Sequence, residues 1–295
     1  MNREKQTPAD VGVLGGGRMG AGIAHAFLLA GSRVRVVEQD ASSADAAAQR
    51  IVGSVSRSEE RDHALDASEI LGRLECGADL GAFGACDLVI EAVPEDRALK
   101  ESSLARAEAA MPEGAMLASN TSSISIDDLA STLRHPGRFL GLHFFNPVPA
   151  SLLVEIVQGE ATDPSLVDDA RRWVRALGKT PIVVRDSPGF ASSRLGVMLG
   201  LEAIRMLEEG VANAEDIDAA MTLGYRHPVG PLRTTDIVGL DVRLGIAEEL
   251  AETLGARFEP PALLRAMVAE GKLGRKSGEG FYTWISARSE NGDGR

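Results

Sequence analysis

The chain has 295 residues, 44% of them hydrophobic and 25% charged, with a formal net charge of -12. That acidity argues against generic nucleic-acid binding, and it means that an anionic ligand has to be held by a local set of donors. No apolar run approaches the ~20 residues needed to span a bilayer. The polar opening from Met1 to Asp10 lacks the apolar segment of a secretory signal, and Cys76 and Cys86 show neither metal spacing nor a disulfide framework. A cytoplasmic protein is therefore expected.

Val11-Gly12-Val13-Leu14 reads as a short strand that runs into Gly15-Gly16-Gly17-Arg18-Met19-Gly20 and then a small-residue helix ending near Gly31. Strand, G-x-G-x-x-G and helix in that order form a dinucleotide-binding turn. Gly15 permits the tight turn, Gly17 lets backbone approach a pyrophosphate, and Gly20 lets helix and strand pack closely. The N-terminus of that helix, expected over 21–30, offers free N–H groups to the phosphates, and Arg18 and Met19 in the turn before it are counted with the cofactor-binding residues. A second strand over 33–37 ends in Glu38, which stands 18 residues after Gly20, where an acidic side chain binds the adenosine ribose hydroxyls. No arginine follows within Gln39-Asp40-Ala41-Ser42-Ser43, so NAD is the expected cofactor and NADP is not. His25 reads as a helix-face residue.

A polar, alanine-rich helix is expected over 41–61 and a short one over 68–74. The apolar run over 87–93 is the next parallel-type strand, delivering Pro94-Glu95-Asp96 to the carboxyl edge where open α/β sheets bind ligands. The helix over 96–111 carries Lys100, whose spacing favours a solvated helix residue over a cation near the cofactor. A strand over 116–119 delivers Asn120-Thr121-Ser122-Ser123 to the same edge, as a loop with a helix cap from Ser123 or Ser125, or as hydroxyls and an amide for a ligand. A helix over 164–177 and a strand over 181–185 close the alternating pattern.

From Pro188 onward the periodicity is helical, with helices expected over 190–209, 215–223, from the turn after 227–231 to 254, and over 260–270. Residues 286–295 read as a disordered tail. The fold class is thus α/β: a Rossmann-like domain over 1–186 and a smaller, all-helical domain over 187–295, with substrate expected to meet cofactor in the cleft between them.

Gly141-Leu142-His143-Phe144-Phe145-Asn146-Pro147-Val148-Pro149 and Leu153-Val154-Glu155-Ile156-Val157 read as two strands joined by a turn that two prolines stiffen. His143 and Glu155 lie six residues either side of Pro149, so antiparallel pairing brings them face to face at the open end of the hairpin. Such a pair handles protons, the ring exchanging one near neutral pH while the carboxylate fixes its tautomer. A surface salt bridge is the simpler reading.

These segments, with Ser187-Pro188-Gly189-Phe190, His227-Pro228-Val229-Gly230-Pro231, Leu273-Gly274-Arg275-Lys276-Ser277-Gly278 and Gly280-Phe281-Tyr282, resemble the 3-hydroxyacyl-CoA dehydrogenase family, especially its short-chain 3-hydroxybutyryl-CoA type, over 11–282. The resemblance implies NAD-dependent, reversible oxidation of a 3-hydroxyacyl-CoA to the 3-ketoacyl-CoA. It makes His143 the catalytic base and Glu155 its partner, sets Ser122 and Asn146 on the substrate oxygen, and places Glu95, Lys100 and Asn120 by the cofactor. It also implies a homodimer joined through the helical domain. The family usually carries asparagine where Ser193 stands, so Ser193 is expected to make a shortened or water-mediated substrate contact. Competing readings are a dehydrogenase of a carrier-protein-bound or other 3-hydroxy acid, and a non-catalytic dinucleotide-binding protein on the same scaffold.

Overall fold

A computed structural model describes residues 7–284; the expected disordered tail lies outside them. Two compact units, Met1–Ser187 and Pro188–Arg295, each carry a separate core. In chain order the first holds β1 (Asp10–Leu14), α1 (Arg18–Leu29), β2 (Arg33–Val37), α2 (Ala41–Arg61), α3 (Ala67–Leu71), β3 (Leu74–Gly77), β4 (Leu88–Glu91), α4 (Arg97–Ala110), β5 (Met116–Ser119), α5 (Ile126–Ala130), β6 (Phe139–Phe144), β7 (Leu153–Gln158), α6 (Pro164–Ala176) and β8 (Thr180–Arg185). One eight-stranded sheet runs β3-β2-β1-β4-β5-β6-β7-β8. Every pairing is parallel except β6 with β7, so β7 and β8 run against the other six. This is the expected Rossmann-like α/β architecture.

The central strands are covered on both faces, which is why they read as continuous apolar runs: Val11, Val13, Leu88, Val89 and Ile90 are all buried. Several of the helices begin where their sequences offer an acceptor. Asp40 accepts from Ser43 N at 2.7 Å, Asp96 from Leu99 N at 2.8 Å, and Asp163 from Ser165 N at 2.8 Å, ahead of Pro164 in the first turn of α6. Helix α6 then buries Leu166, Val167, Ala170, Trp173 and Val174, a stripe at helical spacing. Each such large side chain, once buried, contributes about 1.5–3 kcal/mol.

The sequence expectation fails at two places. The helix expected over 68–74 stops at Leu71, and Leu74–Gly77 becomes the edge strand β3. That strand is short and only half-buried, so its apolar alternation is faint. The single helix expected to reach 254 is two, α9 (Pro231–Val238) and α10 (Leu240–Leu254), separated at Gly239 with φ 107. A helix cannot pass through that angle.

The regular elements described in the second unit are helices: α7 (Ser192–Glu208), α8 (Ala214–Ala219) followed by a π-turn over Ala220–Gly224, then α9, α10 and α11 (Ala262–Ala269), after which turns with two isolated antiparallel bridges lead to Trp284. Two buried carboxylates explain its motifs. Asp218 accepts from Leu232 N at 2.8 Å and Arg233 N at 2.9 Å, pinning the start of α9, and from Tyr282 Oη at 2.8 Å. Asp236 accepts from Phe281 N at 2.9 Å, Tyr282 N at 3.0 Å and Trp284 Nε1 at 2.7 Å, which straps the chain end to α9. Each anion is matched by three donors, the condition under which its burial is tolerated.

His25 lies on α1 as expected, on its buried face: it is 2% exposed, with Nε2 against Ser58 Oγ at 2.9 Å. Burial, aided by the charges of Lys179 and Arg57, pulls its ring down to about 4. The unfolded chain therefore binds more protons than the fold between that value and the ordinary ~6.5, and stability falls as pH drops through this window. His25→Gln, which takes up no proton there, is expected to lose less melting temperature between pH 7 and pH 4 than the parent, measured by thermal denaturation.

Candidate active site

The carboxyl ends of β2, β1, β4 and β5 share one edge of the sheet. Strand order reverses there, with β1 lying between β2 and β4, and such switch points are where open α/β sheets take ligands. The glycine turn is built as its spacing requires. Gly15 adopts φ 92. A Cβ on Gly20 would stand 1.8 Å from Gly15 O, so only glycine lets α1 pack on the turn. A Cβ on Gly17 would meet nothing within 4 Å, which leaves its backbone open to a ligand.

Above the turn lies a cavity of about 890 Å³, lined among others by Gly15, Gly17, Arg18, Met19, Glu38, Glu95, Asn120 and Ser122. Of the residues expected to hold the cofactor, Gly20 sits behind the turn and Lys100 does not reach the wall. Glu38 Oε1 accepts from Gly16 N at 2.6 Å, while Oε2 has only a long contact of 3.3 Å with Gln39 N and keeps capacity for ribose hydroxyls. The open Gly17 backbone at a helix N-terminus, with a carboxylate at the end of β2, fits a dinucleotide. Arg50, not anticipated from the sequence, also lines the cavity, its Nη1 reaching Gly16 O at 3.3 Å from α2. It lies outside the window after Glu38, and no local pattern points to it.

At the β4 and β5 end, Glu95 Oε1 accepts from Thr121 Oγ1 at 2.6 Å, Ser122 N at 2.7 Å, Ser122 Oγ at 3.2 Å and Ser123 N at 3.2 Å. The polar loop after β5 is thus organised by a carboxylate, and Ser125, not Ser123, caps α5 by accepting from Asp128 N at 3.1 Å. Asn120 Oδ1 accepts from Phe144 N at 2.9 Å, tying this loop to the end of β6. Burial raises the Glu95 carboxyl, but Lys100 and the donors from Thr121 and Ser122 outweigh it and hold the group below the usual carboxylate range.

Lys100 is not solvated: it is 1% exposed, with Nζ 2.7 Å from Glu91 Oε1 and 3.2 Å from Glu95 Oε2. Glu91, which the sequence reading passed over inside an apolar run, is fully buried and also accepts from Val93 N at 2.7 Å and Ser119 Oγ at 2.6 Å. A lone acidic residue closing a strand that is otherwise apolar was the signal available.

His143 and Glu155 are direct partners in the β6–β7 register, and Nδ1 lies 2.7 Å from Glu155 Oε2. Both are buried, at 6% and 0% exposure, so the surface salt bridge is excluded. The pair does not lie at the open end of the hairpin. Phe144 pairs with Val154 on its turn side, and the strands continue away to Gly141 and Val157. Because β6 runs parallel to β5, the turn end is the carboxyl edge, and the pair joins the edge that bears the cavity. A carboxylate accepting from Nδ1–H fixes the tautomer and presents Nε2 as the proton-exchanging nitrogen. Phe145 packs on the ring with centroids 4.4 Å apart. Asn146 is exposed on the turn and makes no hydrogen bond to Ser122 among the described residues. Ser193 lies in the second turn-forming position of α7, half-buried, in the other unit.

Fold and glycine turn define a dinucleotide-binding protein of the Rossmann class. Comparison with known proteins narrows this. Residues 10–187 match the model of the 3-hydroxyacyl-CoA dehydrogenase NAD binding domain, and 189–284 match that family's C-terminal domain. A probable 3-hydroxybutyryl-CoA dehydrogenase of Deinococcus radiodurans is 43% identical over 276 residues, covering 92% of this chain and 99% of the relative. The 3-hydroxybutyryl-CoA dehydrogenase of Mycobacterium tuberculosis is 42% identical, covering 93% and 98%. The crystal structure of (S)-3-hydroxybutyryl-CoA dehydrogenase from Ralstonia eutropha superposes with a TM-score of 0.90 at 37% identity, covering 95% of this chain and 100% of that one. The chain belongs to the 3-hydroxyacyl-CoA dehydrogenase family, whose cofactor is NAD.

Two glycines separate folding from binding. Gly20→Ala forces its Cβ into Gly15 O and is expected to lower the melting temperature. Gly17→Ala, in open space at φ -62, is expected to keep the melting temperature but weaken NADH at least tenfold, read by fluorescence titration.

Proposed function

We propose that the protein catalyses the NAD-dependent, reversible oxidation of (3S)-3-hydroxyacyl-CoA to 3-ketoacyl-CoA on short chains such as 3-hydroxybutyryl-CoA and acetoacetyl-CoA. The observation that carries this reading is the buried His143–Glu155 pair, 2.7 Å apart, at the sheet edge that bears the nucleotide cavity. The family and the activities named for its relatives support the substrate.

His143 takes the proton of the 3-hydroxyl at Nε2 as the C3–H bond breaks, and returns it to the ketone oxygen in reverse. Bound NAD supplies the hydride acceptor. Glu155, fixed opposite on β7, holds the ring and lowers the cost of the imidazolium. The residues assigned to the substrate are Asn146, whose amide offers a donor for the partial negative charge on the oxygen, Ser122, whose hydroxyl has to turn from Glu95 Oε1 to donate to it, and Ser193, assigned by its place after Pro188-Gly189-Phe190. Phe145 beside His143 supports an acyl thioester over a polyol.

Glu38, with lone pairs toward the ribose site, is assigned the discrimination against a 2′-phosphate. We assign the helical unit to a homodimer contact: Leu195, Ile237, Val238 and Val242 are large apolar residues left 40–70% exposed on α7, α9 and α10. A cytoplasmic location agrees with two free thiols, and no described helix is long and apolar enough to cross a membrane.

His143→Gln and Glu155→Gln are each expected to lower kcat by roughly 10²–10⁴ with acetoacetyl-CoA and NADH, while NADH affinity stays within a few-fold. Near-normal turnover in both would reduce the pair to a structural ion pair. NADH should exceed NADPH in catalytic efficiency by about 100-fold, equivalent to about 2.8 kcal/mol; equal efficiencies would remove the role given to Glu38.

A further inference from the structure

At the cavity wall and beneath it two carboxylates share one ammonium, Glu95 on the wall and Glu91 below it. Glu91 is fully buried, Lys100 is 1% exposed, and Lys100 Nζ contacts both Glu91 at 2.7 Å and Glu95 at 3.2 Å. Each group is held by other partners, so none is left to drift. Glu91 accepts from Val93 N and Ser119 Oγ, Lys100 also donates to Val93 O at 3.2 Å, and Glu95 is fastened to the Thr121–Ser123 backbone and hydroxyls. The charges -1, +1 and -1 leave one net negative charge.

Its position matters more than its existence. Glu38 marks the adenosine end of the cavity at β2, and Gly15 and Gly17 mark the pyrophosphate at β1. A dinucleotide laid across that edge brings its nicotinamide to the end of β4 and β5. The residues immediately after Glu91, from Ala92 to Glu95, line that end. An oxidised nicotinamide carries a positive charge and a reduced one does not, so a fixed anion in a poorly screened place distinguishes them.

We propose that Glu91 is a positioning residue which, through Lys100 and Glu95, sets a net negative floor under the nicotinamide end and so favours binding of NAD+ over NADH relative to a neutral floor. This rests on the dehydrogenase reading above and adds to it a determinant of which redox form is held. A floor of this sign pulls the bound equilibrium toward NAD+ and the 3-hydroxy thioester. It also explains why a lysine is buried against two carboxylates when one would neutralise it.

The test counts charge. Dissociation constants for NAD+ and NADH are measured by calorimetry on the parent and on Glu91→Gln, which keeps the shape and brings the floor to zero. The ratio Kd(NAD+)/Kd(NADH) is expected to rise about tenfold, equivalent to about 1.4 kcal/mol. The double variant Glu91→Gln with Lys100→Met has a floor of -1 again, and its ratio should return to within about twofold of the parent. Ser119→Ala removes a hydrogen bond from Glu91 without changing the charge; it should lower the melting temperature and leave the ratio alone. A ratio unmoved by Glu91→Gln, or not restored in the double variant, overturns the proposal. If Glu91→Gln does not fold, Glu95→Gln removes the same charge from the exposed end, and an unchanged ratio there overturns it equally. A parent that binds neither cofactor form defeats the dehydrogenase reading itself, whereas a parent with normal turnover and an insensitive ratio defeats the charge proposal alone.

Discussion

The site depends on the register between β6 and β7. Opposite residues of an antiparallel pair project to the same face, and a slip of one residue would set His143 against Val154 or Ile156. The slip is resisted from both sides. Leu142, Phe144, Val154 and Ile156 are all buried, so displacing the register would turn apolar side chains out of the core and put a histidine and a glutamate into it unpaired. The reversal of chain direction at this hairpin is also what carries β8 to the sheet margin, with Glu155 paired to Ile182 on the far side of β7. Glu155 is thereby locked between two strands, and the imidazole is oriented by a partner that cannot swing away.

Elsewhere the molecule solves one problem repeatedly: how to fasten a chain with a carboxylate, buried at Glu91, Asp218 and Asp236 and exposed at Glu95. Glu91 holds Lys100 and the turn after β4; Glu95 gathers the loop after β5; Asp218 and Asp236 pin α9 and the chain end in the helical unit. Backbone N–H groups supply two of the three donors to Asp218 and to Asp236, while hydroxyls and Lys100 supply most of those to Glu91 and Glu95. An acceptor so matched keeps its hydrogen bonds at little cost, while removing it orphans several groups at about 1–3 kcal/mol each. The His227-Pro228-Val229-Gly230-Pro231 and Gly280-Phe281-Tyr282 segments acquire their meaning from these anions. Gly280 is required because a Cβ there would fall 2.2 Å from Asp236 Oδ1.

Much of the architecture is written locally. The nucleotide turn is contained in six consecutive residues flanked by a strand and a helix, and the ranges of β2, β5 and α2 follow from periodicity and from caps such as Asp40. The pairing of His143 with Glu155 was legible because it needs only a symmetric hairpin. What escaped was whatever has no local signature. The edge strand β3 lacks a strong alternation because one side of it is open, and Gly239 breaks a helix through a backbone angle that a glycine permits but does not announce.

The sequence by itself determined the class of fold, the phosphate turn, the acid after β2 and the pairing of His143 with Glu155, because each rests on residues near one another in the chain or on a fixed period. Tertiary structure alone decided the fate of the charges. Lys100 has the spacing of a solvated helix residue, and Glu91 sits in what reads as apolar strand. Only when α4 folds over β4 does each supply the counter-charge that makes the other's burial tolerable. Arg50 reaches Gly16 O by the same logic, from a helix whose sequence gives no hint of the turn it will meet. Burial of charge is a property of pairs distant in the chain, and a single sequence does not name the partner.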